Sequence, residues 1–136
     1  MSNFKLKIIA CDRVFYDGDC QMLIFPGFDG EVGVMAHHES MTAIVCVGEI
    51  RYRLPDGIVQ YAVVSEGFLK FENNEATVIV FSAEKPEEID QARARAAFER
   101  AKEQLQQKQS AVEYRLSTMT MAKAMARMRA HDKYVN

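Results

Sequence analysis

Over Ser82-Ala83-Glu84-Lys85-Pro86 the apolar rhythm of this 136-residue chain changes from a period of two to one near 3.6, and no glycine follows. Strands and helices cannot share one hydrophobic rhythm, because side chains alternate across a strand and wind around a helix. The break therefore predicts two parts, residues 1–84 and 85–136.

The first part is expected to be all-β. In Phe4-Lys5-Leu6-Lys7-Ile8, and again in Glu49-Ile50-Arg51-Tyr52-Arg53-Leu54, apolar and charged residues alternate, which puts one face on a core and the other in water. Pro55-Asp56-Gly57 turns the chain into Ile58 to Val64. Asn73-Asn74 joins a strand ending at Glu72 to one starting at Ala76, since Asn tolerates the positive φ of a tight hairpin. Short strands at this spacing, from Phe4 to about Phe81, predict a sandwich or flattened barrel.

Beyond the break Ala, Glu, Gln, Arg, Lys and Met dominate. Pro86 suits a first helical turn, and Glu87, Glu88 and Asp90 place negative charge at the positive end of the helix dipole. The first helix is expected to reach about Gln107, and Ser110-Ala111-Val112-Glu113 is a capping box that starts a second. The short polar join makes the pair an antiparallel helical hairpin. One apolar stripe is read from Ile89, Ala92, Ala96 and Leu105. The other is read from Val112, Leu116, Met119 and Ala126, widened by Tyr114, Met121, Met125 and Met128. Such alanine-rich packing buries little area, so the hairpin is expected to open at modest cost.

No run reaches the roughly 18 apolar residues of a membrane helix, and Met1-Ser2-Asn3-Phe4-Lys5 lacks a signal peptide's apolar stretch, so a cytosol-like compartment is expected. Cys11, Cys20 and Cys46 are an odd number without C-x-x-C spacing, and are read as small core or half-buried residues. The net charge of −2 conceals a division: residues 1–81 hold 6 Lys/Arg against 11 Asp/Glu, net −5, and residues 82–136 hold 11 against 8, net +3. The excess positive charge lies in 112–136, with 5 basic and 2 acidic residues, so an acidic partner surface is its natural counterpart.

Gly27-Phe28-Asp29-Gly30-Glu31-Val32-Gly33 lacks the Lys-Ser/Thr ending of a phosphate loop and reads as a turn with a bulge. His37-His38-Glu39 offers adjacent metal-ligand types without a fourth ligand, and reads as a loop. No serine has a nucleophile-elbow context, so neither a catalytic nor a metal site is assigned. The cations say more. Arg93 and Arg100 share a helix face, as do Lys123 and Arg127, and a pivot near residue 109 sets Arg93 opposite Arg127. Closing the hairpin then crowds like charges unless an anion or carboxylates sit among them; the alternative is four solvated heads pointing apart.

Four stretches, in order and spacing, resemble the landmarks of F-type ATP synthase ε subunits. They are Gly30-Glu31-Val32-Gly33-Val34 with His38, Ser65-Glu66-Gly67-Phe68-Leu69, Ala76-Thr77-Val78-Ile79-Val80, and Ile89-Asp90-Gln91-Ala92-Arg93-Ala94. The resemblance implies a ten-stranded sandwich bound to the γ subunit and to the c-ring, passing torque between them, with Glu31 and His38 in a ring-contact loop running from Gly30 to His38. It implies a non-catalytic subunit, peripheral on the cytoplasmic face of the bacterial membrane, with no nucleic-acid partner and no required cofactor. The hairpin of such subunits can extend along γ, meet the α and β subunits and inhibit hydrolysis. Some relatives bind ATP as a regulatory ligand in the folded hairpin. Glu84, Ile89, Asp90, Arg93, Ala94, Arg100, Lys123 and Arg127 match those positions, with Lys123 standing where arginine is usual. Two further departures are Ala36-His37-His38 for Pro-Gly-His and Glu66-Gly67 for Gly-Gly. The alternative reading is a free-standing nucleotide-binding or protein-interaction module with the same two-part fold.

Overall fold

The structure, a computed structural model, describes residues 2–106 and 111–135, and of 111–114 the backbone alone. Gln107, the Ser110 end of the capping box, the join between the helices and the side chains of Val112, Glu113 and Tyr114 lie outside the described residues. The chain divides into two units, Met1–Lys85 and Pro86–Asn136.

The first unit is a β-sandwich. Ten strands follow in chain order: β1 (Phe4–Ile9), β2 (Val14–Cys20), β3 (Met22–Gly27), β4 (Gly30–Met35), β5 (Met41–Val45), β6 (Gly48–Arg53), β7 (Val59–Val64), β8 (Gly67–Glu72), β9 (Glu75–Val80) and β10 (Ala83–Glu84). They form two five-stranded sheets, β2-β1-β9-β8-β5 and β10-β7-β6-β3-β4, in which only β1 and β9 run parallel. The alternation read from the sequence sets the layers: Phe4, Leu6 and Ile8 point inward from β1, and Ile50 and Tyr52 from β6. Phe4 meets Phe71 edge-on at 5.8 Å, a geometry worth about 0.5–1.5 kcal/mol beyond the area buried. Cys20 is buried, and burial pushes its thiol up to about 11, so it stays protonated and donates to the Met22 carbonyl at 3.1 Å. Cys46 is half-buried, but Cys11 is exposed, against expectation, because it follows the last inward residue of its strand in the connection to β2.

One end of the sandwich is tied by Asn74, in the left-handed region with Asn73 (φ 56 and 53). Its side-chain oxygen accepts from the His37 N–H at 2.7 Å, and its amide donates to the Asn3 carbonyl at 3.0 Å. Asn74→Ala should cost about 2–3 kcal/mol, two hydrogen bonds and a backbone preference, and Asn74→Gly should recover only the backbone part. Urea midpoints of the two variants check this.

In the second unit, Pro86–Glu88 form a separate 3-10 turn rather than the first turn of the helix. The helices are α1 (Gln91–Leu105) and α2 (Ala111–Tyr134), packed on each other. The stripe read for α1 needs correction: Ala92 and Ala96 are exposed, while Ala94 and Ala101 are buried, with Ala97, Phe98 and Leu105 half-buried around them. On α2, Leu116 and Met119 are exposed; Ser117, Ala124, Ala126 and Ala130 are buried, and Met121, Met125 and Met128 half-buried. The physical reason is that alanine and methionine are spread around both helices, so local periodicity does not single out the inner face.

Candidate functional site

The hairpin carries the clustered charge. Asp90 caps α1: its carboxylate accepts from the Arg93 backbone N–H at 3.1 Å, which fixes where the helix begins. Ile89 and Ala94 are buried packing positions. Two bonds between the helices set their register, Gln91 Nε2 to Asp132 Oδ1 at 3.1 Å and Ser117 Oγ to Gln104 Oε1 at 3.2 Å. That register puts Arg93 level with about residue 129, roughly half a turn from Arg127, so the direct Arg93–Arg127 opposition read from the sequence is corrected.

The cations nevertheless share a side. Arg93 and Arg100 precede the buried Ala94 and Ala101, and Lys123 precedes the buried Ala124, as Arg127 precedes the half-buried Met128. On antiparallel helices, positions one before each inner face fall on the same flank. The Gln91–Asp132 bond occupies the other flank. Arg93 and Arg100 are exposed, while Lys123 and Arg127 are half-buried and engaged in interactions of their own. Glu84 lies in β10, paired with Val63, in the first unit.

Sequence reading missed the polar group at the hairpin's open end. Gln91 Oε1 and the His131 Nδ1 are buried without a hydrogen-bond partner, beside the Gln91–Asp132 bond. Partners some forty positions apart leave no local signal in a sequence.

In the sandwich, the stretch from Gly30 to His38 is not one loop. Gly30–Met35 is β4, an edge strand, and the register from Met22↔Met35 to Gly27↔Gly30 closes on Phe28-Asp29 as a two-residue turn without a bulge. Glu31 therefore lies beside that turn, bonded to Arg51 at 2.8 Å, and His38 lies beyond the strand's far end. At about 3.3 Å per residue the strand holds them on the order of 20 Å apart. His38 stacks edge-on to Phe71 at 5.6 Å, with Nδ1 2.8 Å from the Glu39 carbonyl, while His37 adopts φ 65. Among the described residues no group of three His, Cys, Asp or Glu is placed to hold a metal ion. No described helix is long and apolar enough to cross a membrane.

Comparison with known proteins matches both units to family models. The model described as "ATP synthase, Delta/Epsilon chain, beta-sandwich domain" covers residues 3–86, and "ATP synthase, Delta/Epsilon chain, long alpha-helix domain" covers 87–132. An "ATP synthase epsilon chain" of Ruminiclostridium cellulolyticum is 41% identical over 133 residues, 98% of each chain. One of Syntrophomonas wolfei is 33% identical over 97% of this chain and 96% of its own. Among solved structures, a chain of the Euglena gracilis mitochondrial ATP synthase (OSCP/F1/c-ring) aligns with TM-score 0.83 at 19% identity, over 96% of this chain and 82% of that one, a likeness of fold.

Proposed function

The chain belongs to the ε subunits of bacterial F-type ATP synthases, components of the central stalk, and from that premise we propose that its two units divide mechanical coupling from regulation. The sandwich binds γ and meets the c-ring, carrying torque between them without catalysing a reaction itself. The ring contact is assigned to the stretch from Gly30 to His38, with Glu31 beside the Phe28-Asp29 turn and His38 past the far end of β4. The hairpin inhibits ATP hydrolysis when it extends toward α and β, and its basic second helix supplies the attraction to their acidic segments. The subunit works at the cytoplasmic face of the cell membrane, held there through the complex.

ATP is the regulatory ligand of the folded hairpin in this reading, and the observation that carries it is the single cationic side formed by Arg93, Arg100, Lys123 and Arg127. Phosphate oxygens accept charge-assisted hydrogen bonds from lysine and arginine, so a nucleotide held across both helices favours the closed state. Asp90 and Ala94 act by positioning, as helix cap and close-packed residue. Arg93→Ala should weaken ATP binding by about 1.5–3 kcal/mol, the value of a charge-assisted contact. Titration calorimetry of the full chain tests it, and absence of binding to the unmutated protein removes ATP from the proposal.

A further inference from the structure

At the open end of the hairpin, polar side chains from both helices meet around one oxygen. Gln91, the first residue of α1, donates from Nε2 to Asp132 Oδ1 at 3.1 Å, and His131 Nδ1 lies 4.0 Å from the same oxygen. A carboxylate only accepts, so it holds the Gln91 amide with its nitrogen toward Asp132 and its Oε1 turned away. That Oε1 and the His131 Nδ1 are both buried, and neither has a hydrogen-bond partner among the described residues. The His131 side chain is 17% exposed, against 60% for Asp132.

Each buried polar atom left unpaired costs about 1–3 kcal/mol, a cost that water removes once the helices part. The inner faces nearby are alanine, Ala94 on α1 and Ala126 and Ala130 on α2, and bury little area to offset it. Imidazole changes charge between about pH 5 and 8, and its protonated form carries an N–H on both ring nitrogens. Protonation therefore makes Nδ1 a donor, and a shift of about 1 Å brings it within charge-assisted bonding distance of Asp132 Oδ1. The charged groups on the elements packed together here are Glu87 and Glu88 of the 3-10 turn, Asp90 and Arg95 at the start of α1, and Arg127 and Asp132 beside His131 on α2. Arg129 and Lys133, two positions to either side of His131, point away around the helix. Four carboxylates against two guanidiniums leave this end acidic, so an added positive charge is attracted to it.

We propose that His131 is a proton-sensitive clasp for the hairpin. Gaining a proton, it bonds Asp132, fixes that carboxylate on Gln91 of α1 and favours closure; losing it, it leaves a buried nitrogen unpaired and favours opening. The proton is taken up on closing and released on opening, so closure strengthens as pH falls through the imidazole range and weakens as pH rises through it. Resting on the reading above that the extended hairpin inhibits, hydrolysis is then held back more strongly at alkaline pH.

The test is hydrogen exchange of the α1 and α2 backbone amides in the full-length chain without nucleotide, at about pH 6 and about pH 8, with the intrinsic exchange rates divided out. The opening constant should be about 5-fold smaller at the lower pH, the low end of allosteric coupling. His131→Gln, uncharged at both, should give one constant at both, with circular dichroism showing native helix content. Asp132→Asn, which keeps an acceptor for Gln91 but no charge, should reduce the change. Lys102→Gln, exposed near the far end of α1, should leave it intact. A wild-type constant that does not move with pH overturns the proposal, as does a folded His131→Gln chain that keeps the full change. In the reconstituted complex, hydrolysis relative to that with a chain ended after Lys85 should be lower at the higher pH. A hairpin that responds alone while this ratio stays fixed supports the clasp and overturns the inhibitory reading instead.

Discussion

Gly67→Ala is expected to destabilise the sandwich by roughly 3–5 kcal/mol, among the largest effects a single methyl group produces. A Cβ built at Gly67 would lie 2.0 Å from the Ile79 carbonyl oxygen, 2.7 Å from the Val80 Cα and 2.9 Å from the Ile79 carbonyl carbon. All three are backbone atoms of the neighbouring central strand β9, so no side chain can swing away and β8 must separate from β9. The strain falls beside the bonds that close this end of the sandwich. Ser65 is buried and its Oγ accepts from the Ser82 N–H at 2.9 Å, while the Phe81 N–H donates to the Glu66 carbonyl at 3.2 Å. A urea midpoint lowered by about 1 M or more, at a slope of 1–3 kcal/mol/M, is the expected reading. Glu66 is exposed. That is why the departure from Gly-Gly to Glu66-Gly67 is harmless at the first position, whereas the second admits no Cβ.

Ending the chain after Lys85 is expected to leave a folded sandwich that still joins the stalk and to raise ATP hydrolysis by the reconstituted complex. The division between Met1–Lys85 and Pro86–Asn136 places the cut between units, and the sandwich core, from Phe4 to Ala83, lies entirely before it. If the hairpin's inhibition has a typical allosteric coupling energy, hydrolysis should rise between about 5-fold and 150-fold. Parallel hydrolysis and proton- or sodium-driven synthesis assays separate the roles. Unchanged hydrolysis with intact coupling would remove inhibition from the hairpin, and lost coupling would mean that the sandwich does not bind γ unaided.

Asp90 illustrates how a site and a structural role overlap in one residue. As part of the Ile89-Asp90-Gln91-Ala92-Arg93-Ala94 stretch it was legible as family signature and as an acid near a helix start, but only the structure shows its carboxylate accepting from the Arg93 backbone N–H. Arg93 and Arg100 were legible as a shared face because seven residues make nearly two turns. Their level against α2 was not, because the register depends on Gln91–Asp132 and Gln104–Ser117, bonds between residues far apart in the chain. The Gly30 to His38 stretch failed as a loop for a related reason. Its glycines suit turns, yet strand pairing with β3 holds Gly30–Met35 extended.

The sequence by itself determined the two-part fold, the alternation that gives each strand an inner face, the Asn73-Asn74 turn and the opposite charges of the two halves. Local spacing is enough for these, since each depends on residues within a few positions of one another. Tertiary structure decided which alanines of α1 and α2 turn inward, how far Glu31 lies from His38, and that Val14, Ile9, Ile79, Phe68 and Ile44 form one row. Taken singly along the chain, those five residues are ordinary surface hydrophobes. Cross-strand register aligns segments that are distant in sequence, and that alignment turns scattered side chains into a surface.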